Sequence, residues 1–113
     1  MKEDVIQAKE IELYIVEKAQ NKNDNNKDGW AIFLNGDTLN PLNKELIFGL
    51  DEDKEGKNKA FLDYWCARLN RSFVQGWALA KGYNVCYPSE GYFKALDELY
   101  EKWTSMKLKK NNE

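Results

Sequence analysis

The chain has 113 residues, 42% of them hydrophobic and 13% aromatic, with a formal net charge of −2. That length allows one domain, residues 1–113, with a modest core, and the apolar content excludes a disordered chain even though 32% of the residues are charged. The mild acidity disfavours a nucleic-acid footprint, which would be basic, and no apolar run approaches the length needed to span a membrane.

The first segment supports two readings. Val5, Ala8, Ile11, Ile15 and Ala19 fit one helix face, whereas Ile11, Leu13 and Ile15 alternate among strand formers. A strand from about Glu10 to Lys18 is the preferred reading. Asn21 to Asp28 is polar throughout and reads as a turn. Trp30 to Leu34 reads as a second strand, and Asn35-Gly36 as a tight turn, because both residues tolerate positive φ. Glu45 to Leu50 is a third short strand, followed by the charged loop Asp51–Lys59.

From Asn58 to Lys81 the spacing predicts a long helix. Phe61, Leu62, Trp65, Cys66, Leu69, Phe73, Trp77 and Ala80 form one broad apolar face, and Gly82 stops it. Tyr83 to Pro88 is expected to be extended, with strand as one option. Ser89 is the expected N-cap of a second helix with Phe93, Leu96, Leu99, Tyr100, Trp103 and Met106 along its apolar face. The ends, 1–9 and 107–113, are expected to fray. Strands first and helices later give an α+β fold, a small antiparallel sheet of about three strands packed by two amphipathic helices.

Two loops resemble the first half of an EF-hand calcium loop. Asp24, Asn26 and Asp28 alternate before Gly29, and Asp51, Asp53 and Glu55 before Gly56. Such a loop also needs a bidentate Glu at its twelfth position to complete the cation's oxygen shell; here those positions hold Asn35 and Leu62. A strand, not a helix, is expected after Gly29. Asp24, Asn26 and Asp28 therefore remain only weak metal candidates, and the simpler expectation is a polar turn. For the second loop the simpler expectation is negative charge approaching a helix N-terminus.

There is no His, which removes the most common general base near neutral pH and the His-dependent nucleophile pairs. No glycine-rich phosphate loop is present, no catalytic residue stands out, and no cofactor is implied. A helix-turn-helix reading fails because the connection Tyr83–Ser89 is too long for a three- or four-residue turn. Cys66 and Cys86 lack metal-type spacing and are expected to be free thiols. The charged opening MKEDVIQAKE has no signal-peptide core, so a cytoplasmic location is expected. The abundance of Asn and Lys points to AT-rich coding DNA and a bacterial or phage source.

The most suggestive pattern is a narrow stripe on the long helix: Ala60, Tyr64, Ala67, Arg71, Val74 and Ala78, at the 4-3-4-3-4 spacing of a coiled-coil seam. Tyr and Arg are enriched at interface centres. Tyr64, Ala67, Arg71, Val74 and Ala78 are accordingly the expected contact residues for a protein partner or a second copy. The competing expectation is that the chain's own second helix packs there. The function expected is a small non-enzymatic protein-binding domain: an inhibitor, an immunity protein or an accessory regulator of a mobile element. A small-ligand or weak calcium-binding module using the acidic loops is the alternative, and a nucleic-acid-binding or catalytic domain the third.

Overall fold

The computed structural model describes residues 11–35 and 44–111, with side chains through Ser105. The elements run β1 (Tyr14–Asn21), β2 (Lys27–Asn35), β3 (Lys44–Asp51), α1 (Lys57–Lys81) and α2 (Glu90–Asn111). The strands form one antiparallel sheet in the order β1-β2-β3. This is the α+β class that the alternation and periodicity predict. No helix among the described residues is long and apolar enough to cross a membrane. The described residues divide into two compact units, one within 12–72 and one of Ile11 with 73–111, the boundary falling inside α1.

In the first unit, alternation along the strands selects one sheet face. Tyr14, Val16, Trp30 and Leu50 pack with Ile32 against Leu62, Cys66 and Leu69 of α1. Ile32 is nearly buried and Leu62 fully so; a side chain buried to that degree contributes roughly 1.5–3 kcal/mol. The helix side of this core is the single line 62, 66, 69, at spacings of four and three. The broad apolar face expected on α1 is therefore only partly core: Phe61, Trp65, Phe73 and Ala80 are exposed. A narrow sheet accepts one stripe of a helix, and residues a further 100° round the axis fall outside it.

β1 begins and ends three or four residues later than expected. Ala19 and the polar Gln20 and Asn21 continue the ladder opposite Lys27–Gly29, because pairing uses backbone groups and does not require an apolar side chain. The turn shrinks to Lys22–Asn26. Asn25 and Asn26 adopt positive φ, 54° and 58°, a conformation that asparagine tolerates better than most residues. At the start of the strand, the Asn70 side chain brackets Tyr14. Its Oδ1 accepts the Tyr14 N–H at 2.8 Å, and its Nδ2 donates to the Tyr14 carbonyl at 2.9 Å. The expected Asn35-Gly36 turn lies outside the described residues, as does the expected frayed segment 1–9; at the other end α2 carries through to Asn111.

The second unit holds the end of α1, its exit and α2. The exit is a Schellman motif: Tyr83 N–H bonds the Ala78 carbonyl at 2.8 Å and Gly82 N–H the Leu79 carbonyl at 3.1 Å, with Gly82 at φ 77°. Residues 83–89 form no strand. Their polar groups bond locally instead, the Asn84 side chain accepting the Cys86 N–H and the Gln75 side chain donating to the Val85 carbonyl. The Tyr87–Pro88 peptide is cis. Ser89 caps α2 as expected, its Oγ accepting the Tyr92 N–H at 3.0 Å. The buried line of α2 is Tyr92, Ala95 and Leu99, displaced from the expected line through Phe93 and Leu96. Phe93 is exposed and Leu96 half-buried, while Tyr92 makes edge-to-face ring contacts with Tyr87 and Phe93.

Candidate protein-binding surface

The expected contact residues separate by burial. Tyr64 and Ala67 are exposed, Arg71 is half-buried, and Val74 and Ala78 are buried. Tyr64 does not stand alone. Phe61 and Trp65 lie beside it, the Phe61 and Trp65 rings 6.3 Å apart and the Tyr64 and Trp65 rings 5.4 Å apart at 88°. All three rings are about half exposed, at 50%, 58% and 46% in chain order. At 150–250 Å² per aromatic side chain, the cluster shows solvent roughly 300 Å² of mainly apolar surface. The edge-to-face contact of Tyr64 with Trp65 and the tilted contact of Phe61 with Trp65 restrict the rings, so a partner docking there would order few side chains. Exposed Arg68 follows one turn on.

Sequence periodicity places Phe61 and Trp65 on the broad apolar face and not among the expected contact residues. The available signal was the width of the apolar face, which exceeds what one packed neighbour covers.

The acidic loops have structural occupations. Both carboxylate oxygens of Asp53 are committed to the start of α1: Oδ2 accepts the Lys57 N–H at 3.0 Å and Oδ1 the Asn58 N–H at 3.1 Å. These are N–H groups that a helix cannot satisfy internally, and the helix dipole favours the negative charge there. Asn58 in turn donates to the Asp51 carbonyl at 2.8 Å. Asp51 and Glu55 lie near Lys27 and Lys57. In the first loop, Asp24 uses its backbone to close the turn, and the Asp28 carboxylate accepts from Gln20 at 3.3 Å. Among the described residues, no group of three or more His, Cys, Asp or Glu side chains is arranged to hold a metal.

Glu98 and Tyr83, both displaced from their ordinary values, form a clip between the end of α1 and α2. Glu98 accepts from Trp77 Nε1 at 2.9 Å and from the Tyr83 hydroxyl at 2.6 Å. Those two bonds, with Lys81 and Lys94 nearby, hold its carboxyl below the usual range against the opposing effect of desolvation. Tyr83 is pushed up, chiefly by the same bond. The pair thus stays as a carboxylate and a neutral phenol near neutral pH, with neither group tuned to exchange a proton there. Cys66 is buried and free, and burial, with Asp63 and Glu12, pushes its thiol up. Such a thiol packs and does not react. Cys86 is free and exposed.

Comparison of the chain with protein-family models, with curated proteins and with solved structures gave no match.

Proposed function

We propose that the chain is a non-enzymatic protein-binding domain, of the kind that serves as an inhibitor, an immunity protein or an accessory regulator, and that the outer face of α1 in the sheet-containing unit is its contact surface. The exposed cluster Phe61–Tyr64–Trp65 carries this reading. Large aromatics dominate the energetic centres of interfaces, and an adjacent trio of them has no internal role that requires exposure. Ala67 of the expected stripe lies one turn from Tyr64, and half-buried Arg71 one turn further on; buried Val74 and Ala78 are left out of this surface.

The test is affinity capture from the native host, followed by a binding titration with the purified retained protein. Tyr64→Ser with Trp65→Ser should leave the melting temperature nearly unchanged and weaken binding at least ~30-fold, the equivalent of one hot-spot side chain at about 2 kcal/mol. Equal binding by wild type and a folded variant would remove the cluster from the interface. Failure of the wild-type chain to retain any protein would count against the function itself.

A further inference from the structure

Among the described residues β3 is an edge strand, and its centre is exposed. Glu45 through Gly49 are all exposed, with Leu46 at 62%, Ile47 at 41% and Phe48 at 48%. A consecutive apolar run on an open edge is a template for another strand. We propose that two copies of this chain pair through β3, antiparallel about a two-fold axis between Ile47 and Phe48, to form a continuous six-stranded sheet.

The register follows from the bulge. β2 and β3 pair regularly from Gly29↔Asp51 to Ile32↔Phe48, then shift so that Phe33 faces Leu46 and Asn35 faces Lys44. The side chains of Trp30, Ile32 and Leu50 point toward α1. Lys44, Leu46, Gly49 and Asp51 therefore share the opposite sheet face, since their β2 partners alternate with those residues. In a regular strand, Leu46 and Gly49 would lie on different faces; the extra residue at Ile47 puts them on the same one. A two-fold about Ile47 and Phe48 sets Leu46 opposite Gly49, Glu45 opposite Leu50 and Lys44 opposite Asp51. Each pair then lies on one common face, as a continuous sheet requires. Without the bulge this register would oppose residues of different faces.

Backbone direction agrees. Glu52 donates to Asp28 across the sheet, so Phe48 and Leu50 also turn toward β2 and Gly49 turns outward. Asn35 donates to Leu13 on the β1 side, so Leu34 and Glu45 turn toward each other and Leu46 turns outward. The two Leu46–Gly49 pairs thus turn outward-facing backbone groups to each other, and Gly49, lacking a side chain, leaves room for the facing leucine. The ends are complementary in charge: Lys44 of each copy meets Asp51 of the other. Lys44 also holds Glu17 at 2.6 Å and Asp51 lies 3.6 Å from Lys27, so each new pair extends an existing alternation of sign across the sheet. This pairing is independent of the α1 aromatic cluster.

The experiment is sedimentation equilibrium of the full chain from about 1 to 500 µM, on wild type, Lys44→Asp, Asp51→Lys and an equimolar mixture of the two variants. Wild type should approach twice the 13.2 kDa monomer mass. Each single variant opposes like charges at both ends of the strand pair, and should dimerise ~10-fold or more weakly. The mixture restores opposite charges at both ends and should regain the wild-type affinity as a heterodimer. Melting curves check that each variant is folded, and Leu46→Lys gives a second disruption that leaves the charged ends intact. A wild-type chain monomeric throughout this range overturns the proposal. So does a dimer untouched by these substitutions, or one lost in the Tyr64→Ser, Trp65→Ser variant instead.

Discussion

Asn70→Ala tests how α1 is joined to the sheet. The Asn70 side chain makes both backbone hydrogen bonds that Tyr14 would otherwise make to another strand, at 2.8 and 2.9 Å, and its amide also lies 3.8 Å from the Cys66 sulfur. Each such bond is worth about 1 kcal/mol net, and half-buried donors and acceptors left unmatched add to the loss. Truncation should therefore cost about 2–3 kcal/mol, lowering the melting temperature by roughly 10 °C for a chain of this size. Asn70→Asp keeps the acceptor for the Tyr14 N–H but sets a carboxylate oxygen against the Tyr14 carbonyl, so it should recover at most half of the loss. Urea denaturation followed by tryptophan fluorescence and circular dichroism measures both variants, with Ser72→Ala as the exposed control on the same helix. A loss below about 0.5 kcal/mol for Asn70→Ala, the range of ordinary surface changes, would show that the clip is incidental to the fold and that apolar packing alone seats α1.

Two further outcomes follow from the geometry. Gly29 lies against β3 so closely that an added Cβ would sit 2.5 Å from the Leu50 carbonyl oxygen; Gly29→Ala should push β3 off its register and destabilise the chain by about 1–3 kcal/mol, seen as faster amide exchange in Gly49–Asp51. The Glu98 carboxyl is held below its ordinary value near 4.5, so the stability it confers is complete above that value and declines as pH falls through the lowered one. Wild type should lose more melting temperature than Glu98→Gln between pH 6 and pH 3, and parallel curves would refute the link.

What could be read in the sequence was what the chain encodes locally. The Ser89 cap and the Gly82 stop depend on neighbours a few residues away, and both stand where expected. The three strands were legible from alternation, though the ends of β1 were not: its start is set by Asn70, 56 residues on, and its end by backbone pairing in a polar hairpin. The candidate surface was legible only in part. The stripe spacing singles out Tyr64, which is exposed, but helical periodicity cannot say which part of a broad apolar face meets the sheet. It puts Phe61 and Trp65 on the broad apolar face, and it leaves Val74 and Ala78 open between a partner contact and internal packing; their burial accords with the second. The loop at Asp51–Gly56 shows the same limit. Metal ligands and a helix cap draw on the same acidic residues, and only the two N–H groups arriving at Asp53 distinguish them.

The turn between β1 and β2 has a consequence for how this chain can change. Every residue from Asn21 to Asp28 is exposed, and the strands on either side are held in register by the ladder at Asn21↔Lys27. Length at this point is therefore uncoupled from the core: doubling the loop would cost only about 0.6 kcal/mol in closure entropy. Insertions and deletions here should be tolerated where elsewhere they would be purged. The same freedom makes the turn the natural place to graft an epitope, a protease site or a fluorophore without disturbing α1 or the open edge of β3.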